Sequence, residues 1–224
     1  MRILFIPGFG EEETIFDKIK DKLPGEKLFL SLWKLLPDKN IKDLNVTLFA
    51  KKLIVQFRIT KHDLIIGHST GGWVALHIKN IIGCPIVQIA SWWDERKVIK
   101  PVANRHLIYF AAKWGLYLNR FVLRSTVKKL YQGKPSAPIF EAVFTRLMKG
   151  NRANVVNQMR LIFNPYPTKL TVKPDLSIHA RKDTIIRFPD GPVHEVAGDH
   201  FSLYTYPEQV YLPILQFMQY HAAE

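Results

Sequence analysis

Gly67-His68-Ser69-Thr70-Gly71-Gly72 follows the apolar run Leu64-Ile65-Ile66 and precedes Trp73-Val74-Ala75-Leu76-His77-Ile78. The pattern predicts a short buried strand, a turn of small residues and an amphipathic helix. In that context the G-x-S-x-G spacing has a steric meaning. Gly67 and Gly71 carry no side chains, so strand and helix can approach closely around a tight turn. Ser69 Oγ is then presented at the helix N-terminus, where the N–H of Thr70 points at any oxyanion formed there. The same letters also describe a Gly-rich turn with a solvated serine, so the rest of the chain decides.

Working outward, Arg2 to Ile6 reads as a buried strand ended by Pro7-Gly8-Phe9-Gly10. Thr14 to Lys22 reads as a short helix and Leu28 to Leu32 as a second strand. Asn40 to Ile59 has helical spacing at Ile41, Leu44, Leu48, Leu53 and Phe57. Asp63 to Ile66 is a third strand, and the helix after the turn ends near Ile82-Gly83. Pro85 to Ala90 is a fourth strand. Residues 92–170 then break the alternation with three helices, at about 101–131, 137–149 and 152–163, and Gly115 is a candidate break in the first. Leu176 to Ala180 and Val193 to Ala197 are the fifth and sixth strands, and Glu208 to Tyr220 a closing helix. Near-continuous apolar strands alternating with helices indicate a parallel sheet covered on both faces.

In such a sheet the working residues lie in loops at the carboxyl ends of strands. Gly8-Phe9-Gly10, Ser69, Arg181-Lys182-Asp183 and Gly198-Asp199-His200-Phe201 occupy such loops. A serine needs a base, which a histidine supplies near neutral pH, and a buried carboxylate orients that histidine. His194, His77 and His62 are not placed to serve Ser69. Asp199 adjoins His200 too closely to reach its ring, Asp175 lies at the wrong strand end, and Asp190 sits in a Pro-Asp-Gly turn. Residues 182–192 alone link the last two strands, so His200 reaches the site only through a parallel crossover, expected to carry a stub of helix.

With these four loops in order, the chain resembles the α/β-hydrolase superfamily over nearly its whole length. Gly67–Gly71 resembles that family's nucleophile elbow and Pro7-Gly8-Phe9-Gly10 its His-Gly-x-Gly oxyanion loop, with Pro7 in place of the histidine. Ala180-Arg181-Lys182-Asp183 resembles the acid loop and Gly198-Asp199-His200-Phe201 the histidine loop. The resemblance implies Ser69 as nucleophile, His200 as base, Asp183 as acid, and the N–H groups of Phe9 and Thr70 as oxyanion donors. It implies a three-layer fold on a minimal, mostly parallel sheet of about six strands, lacking the first two family strands. The core would be residues 1–91 and 171–224, and residues 92–170 a helical cap. Gly8, His68, Trp92 and Trp93 are candidate substrate contacts. The tryptophans either line an acyl pocket or anchor the cap, and His68 packs beside the elbow. The implied activity is ester hydrolysis without a cofactor. An acyltransferase, a cofactor-free lyase or perhydrolase, and a non-catalytic ligand sensor are the alternatives. No metal site is expected, since no Cys/His cluster has ligand spacing.

Composition bounds the rest. The 224 residues are 47% hydrophobic, ample for one buried core. The single cysteine, Cys84, begins an apolar run, and no internal disulfide can form, which fits a reducing compartment. Neither a signal peptide nor an apolar span of about 20 residues is seen, so a cytoplasmic location is expected. Net charge is +13, and residues 92–170 hold fifteen Lys or Arg against three acids. Lys113, Arg120, Arg124 and Lys128 fall at spacings that would form one stripe on a continuous helix. A stripe of this kind is a solvated face or a docking surface for an acidic partner. An acidic acyl carrier protein is the sharpest candidate, because capped esterases that cleave methyl esters of carrier-bound pimeloyl chains resemble this design. An anionic membrane surface is a further candidate, and nucleic acid is not expected.

Overall fold

A computed structural model describes residues 1–100 and 102–222. Pro101, the expected start of the first inserted helix, lies outside the described residues, as do the last two residues of the predicted core. In chain order the elements are β1 (Arg2–Ile6), β2 (Glu26–Phe29), α1 (Leu32–Leu35), α2 (Val46–Phe57), β3 (Leu64–His68), α3 (Thr70–Ile82) and β4 (Ile86–Ile89). Among the described residues four α-helices follow between β4 and the next strand: α4 (Arg105–Lys113), α5 (Arg120–Thr126, continued by a π-helical turn over Val127–Tyr131), α6 (Ala137–Lys149) and α7 (Arg152–Phe163). Then come β5 (Leu176–Ala180), β6 (His194–Val196), α8 (Ser202–Thr205) and α9 (Pro207–Ala222). No helix among the described residues is long and apolar enough to cross a membrane.

The strands form one sheet of order β2-β1-β3-β4-β5-β6, and every neighbouring pair is parallel. Alternation along each strand divides its side chains between two cores. Leu4, Ile6, Ile65 and Ile86 pack with α2 and α3 on one face. Ile3, Phe5, Leu64, Ile66, Val87 and Ile178 pack with α9 on the other. Each such fully buried side chain contributes about 1.5–3 kcal/mol. A third cluster lies within the insertion, where Ile108 and Ala112 meet Leu147, Val155 and Met159.

Five local expectations change. Thr14 to Lys22 forms two 3-10 turns, Glu13–Phe16 and Lys20–Lys22, because its apolar positions span too little chain to nucleate an α-helix. The second strand ends at Phe29, in register with Phe5, and Ser31 already precedes α1. Helix α2 begins only at Val46, because the Asn45 side chain accepts from the Leu48 N–H. Ile41 and Leu44 lie in the preceding loop. The long first insertion helix is broken at the candidate position: Gly115 takes left-handed geometry at φ +67° and α5 restarts behind the Asn119 cap. Lys113 and Arg120 therefore do not share a continuous helix. The crossover from β5 to β6 is parallel, as the site requires, but carries no helical stub. Its backbone instead bonds the 97–99 segment, with Ile99 N donating to Ile185 O and Arg187 N to Lys97 O.

Candidate active site

Strand β3 delivers Ser69 into a backbone conformation of φ 50° and ψ −121°, a strained turn for a residue with a side chain. The surroundings hold it there. Ser69 N donates to Ile89 O at 2.9 Å, and Ser91 Oγ donates to Ser69 O at 2.7 Å. A Cβ on Gly71 would overlap Ile6 O, and one on Gly67 would overlap the Gly71 backbone. The glycines are thus dictated by the approach of α3 to β1 and β3. Thr70 is the first residue of α3, so its N–H has no acceptor within the helix.

Asp183 and His200 emerge beside each other from β5 and the loop after β6. His200 Nδ1 lies 2.7 Å from Asp183 Oδ2. The same carboxylate is held by four donors in all: Oδ1 accepts from Ile185 N and Ile186 N, and Oδ2 also meets His179 Nε2 at 3.3 Å. Burial pushes this carboxyl up, but the His200 and His179 rings outweigh it and hold Asp183 far below the usual carboxylate range. An ionised Asp183 fixes the proton of His200 on Nδ1 and leaves Nε2 to accept. Ser69 and His200 line the same cavity, and no hydrogen bond joins them among the described residues. Such contacts commonly tighten only when substrate is bound. The other carboxylates have different work: Asp199 accepts from Ser136 Oγ, and Asp175 pairs with Lys79 near the start of β5.

Beneath these residues lies a buried pair, Glu11 and His68, that no local sequence pattern announces. Glu11 is 2% exposed, and its Oε2 accepts from Gly8 N at 2.6 Å and meets His68 Nδ1 at 2.8 Å. His68 Nε2 donates to the backbone carbonyl of His200 at 2.8 Å. Because Nε2 faces a carbonyl it must carry a proton, so one further proton is shared between Nδ1 and Glu11. Burial opposes a charge on His68, but Glu11 outweighs it and raises the ring's proton affinity above the ordinary value. The pair ties the loop bearing Phe9 to the backbone of His200. His68, expected among the substrate contacts, is fully buried behind the cavity wall. Gly8 belongs to the same support, since a Cβ there would meet Glu11 Oε2 and Ser69 Cβ, each at 2.8 Å.

The loop bearing Phe9, the expected oxyanion loop, is also held from the insertion. Gly10 N donates to Gln158 Oε1 at 2.9 Å, and Arg146 donates to Gly10 O at 3.1 Å and pairs with Glu12 at 3.0 Å. Leu147 packs where a Gly10 side chain would be, 2.6 Å from the Cβ position. The N–H of Phe9 has no hydrogen-bond acceptor among the described residues, so it and Thr70 N–H are available as donors.

Two apolar cavities meet at Ser69. One, of about 210 Å³, is lined by His200, Phe140, Phe144 and Leu147. The other, of about 200 Å³, is lined by Thr70, Trp92, Ile108, Met159 and Phe163. Phe9, Tyr117 and Ile185 border both. Trp92 is thus a cavity residue, stacked on Trp73 at 5.7 Å. Trp93 packs against the α2–α3 core and borders neither cavity. Lys113, Arg120, Arg124 and Lys128 are exposed and line neither cavity; Arg124 and Lys128 border a separate surface groove with Glu141. Glu11, His68 and His200 are the group of metal-ligand side chains that converges among the described residues. Their closeness follows from the hydrogen bonds just given, and both His68 nitrogens already face protein oxygens.

No family model and no curated sequence relative matches the chain. Solved structures do. The esterase EaEST from Exiguobacterium antarcticum superposes with a TM-score of 0.67 at 13% identity, covering 98% of this chain and 92% of that one. A thermophilic esterase from Thermogutta terrifontis gives 0.68 at 14% identity, with 98% and 89% covered. The RedJ thioesterase of the prodiginine pathway in Streptomyces coelicolor gives 0.58 at 16%, with 96% and 89% covered. The chain has the α/β-hydrolase fold.

Proposed function

On this α/β-hydrolase fold we propose a serine hydrolase that cleaves a small apolar ester or thioester through Ser69, His200 and Asp183. The observation that carries the reading is the 2.7 Å pairing of His200 with the buried Asp183 across a cavity from a serine held at positive φ. His200 Nε2 takes the Ser69 proton as Oγ attacks the acyl carbon. The N–H groups of Phe9 and Thr70 stabilise the tetrahedral oxyanion. His200 returns its proton to the departing oxygen or sulfur, and an acyl-enzyme remains. Water, deprotonated by the same nitrogen, then releases the acid.

The two cavities fit the two arms of such a substrate. The leaving group must depart beside the histidine that protonates it, so it lies with Phe140 and Phe144. The acyl group takes the other direction, toward Thr70, Trp92 and Met159. At roughly 30 Å³ per liquid-like heavy atom, each cavity holds about six or seven non-hydrogen atoms. A fluorophosphonate probe is expected to label Ser69, and Ser69→Ala to remove both labelling and turnover while keeping the melting temperature. Folded protein that stays unlabelled would overturn the reading. A kcat/KM panel of esters is expected to peak at short to medium acyl groups and fall for long ones.

A further inference from the structure

Helix α4 has two faces of unusual character. Ile108 and Ala112 are buried, and Ile108 borders the acyl cavity. On the opposite side Leu107, Phe110 and Trp114 recur at spacings of three and four, and all three are exposed. The Phe110 and Trp114 rings lie 6.3 Å apart, and Lys113 Nζ sits 5.9 Å from the Trp114 ring. A helix on a globular surface ordinarily turns polar side chains outward. This one is apolar on both sides. The chain continues in the same manner: Leu116 is exposed, and Phe121, on α5, is 83% exposed.

The charge along this stretch of chain is of one sign, and Glu141 is the acid that shares a surface groove with Arg124 and Lys128. No acidic residue lies between Glu95 and Glu141. Arg105, Lys113, Arg120, Arg124, Lys128 and Lys129 make no ion pair among the described residues. Phe121, Arg124 and Lys128 follow one another at helical spacing, so aromatic and cationic side chains share a face. Protein interfaces separate an apolar centre from a polar rim. Here exposed aromatic rings stand beside cations without ion pairs, the two kinds of group that an anionic membrane interface takes up together. Trp and Phe enter the headgroup layer while Lys and Arg meet lipid phosphates.

We propose that the outward face of residues 105–130 docks on an anionic lipid bilayer. The docked face and the acyl cavity are opposite sides of α4, separated by about one helix diameter, ~10 Å. Docking therefore sets the ester site at the membrane surface, within reach of lipophilic molecules that partition there. The binding itself needs no catalysis, so Ser69→Ala protein serves equally.

The test is co-sedimentation with vesicles of phosphatidylcholine alone and of phosphatidylcholine mixed with phosphatidylglycerol. The protein is expected to sediment with the mixed vesicles and to stay in solution with the neutral ones. Raising salt to about 0.5 M is expected to weaken binding at least tenfold. The combined variant Phe110→Ser, Trp114→Ser, Phe121→Ser is expected to weaken it by more than about tenfold. Arg120→Glu, Arg124→Glu, Lys128→Glu together are expected to abolish it, since each charge removed costs about fivefold. Melting temperatures within a few degrees of the parent verify that the variants fold. Failure to bind either vesicle, equal binding to both, or anionic binding indifferent to the aromatic substitutions would each overturn the proposal. So would capture of an acidic acyl carrier protein by a chain that ignores vesicles.

Discussion

Helices α4 and α5 and helices α6 and α7 belong to one basic insertion, yet they turn their polarity in opposite directions. Helix α7 faces inward with Asn154, Asn157, Gln158 and Arg160, all buried. Asn154 Nδ2 donates to Trp33 O and Leu36 O, and Asn157 Nδ2 to Pro37 O and Lys39 O. Arg160 donates to Ile41 O and Asn40 Oδ1. In α6, Arg146 holds Gly10 and Glu12. The α4–α5 half shows the reverse, with unpaired cations and exposed aromatic rings. Net charge adds both halves with the same sign and hides the difference. Buried amides and guanidinium groups are stable only with their partners in place. Unpaired surface cations contribute almost nothing to stability and are available to something outside.

The loop bearing Phe9 is the meeting point, because it is gripped from the core by Glu11 and from the insertion by Gln158. The core grip is expected to be the stronger. Glu11→Gln removes the charge partner of a buried histidine and is expected to cost about 3 kcal/mol of stability or more. The pH dependence gives its sign. A His68 proton affinity raised by folding contributes stability that is fully present below the ordinary value of about 6.5 and lost as pH rises through the raised one. The gap in melting temperature between parent and variant is therefore expected to be widest in mildly acidic buffer and to narrow toward alkaline pH. A gap that widens with pH would mean that the pair is not held as a charged one.

Next in size is Asn157→Ala. It strips the acceptor from Ile41 N and the donor from two loop carbonyls. About 3 kcal/mol at most is expected, or about 6–12 °C in melting temperature at this chain length. A shift under about 2 °C would erase the distinction between the two halves. Smaller again is Gln158→Leu. It leaves Gly10 N without an acceptor one residue from the Phe9 donor. We expect kcat to fall about tenfold with KM little changed, since the oxyanion develops only in the transition state. An unchanged kcat would uncouple the insertion from the chemistry.

These contrasts mark what the sequence could and could not reveal. The elbow was legible because its demands are local: Gly67, Ser69 and Gly71 answer to steric contacts within one turn. Asp183 and His200 were legible because parallel strands end at the same edge. The Glu11–His68 pair joins positions 57 apart, and Glu11 stands in an acidic run, Glu11-Glu12-Glu13, that reads as solvated loop. One signal was present: a histidine inside an all-buried strand needs a partner. Helix α7 misleads for another reason. Its polar stripe at Asn154, Asn157 and Gln158 reads as the solvent face of an amphipathic helix, whereas it bonds to a loop some 120 residues upstream. The exposed face of α4 is the matching inversion, since Leu107, Phe110 and Trp114 are large apolar side chains at helical spacing and yet face outward.

The smallest expected effect tests that inversion residue by residue, because α4 places opposite fates at adjacent positions. Leu107 is 56% exposed and Ile108 is 2% exposed. Leu107→Ser changes a side chain that is more than half exposed, and should move stability by no more than about 0.5 kcal/mol. Ile108→Ala opens a void between the third core cluster and the acyl cavity and should cost about 2–4 kcal/mol. The same pairing should separate their kinetics. Turnover of a soluble ester should be indifferent to Leu107→Ser and to Phe110→Ser, while Ile108→Ala should change kcat/KM most for the acyl group that fills the cavity beside it. Thermal melts and ester kinetics on these three variants measure both. Equal losses at 107 and 108 would show that the outer face is packed in solution, and the aromatic strip would then be covered by the protein's own chain or by a second copy of it.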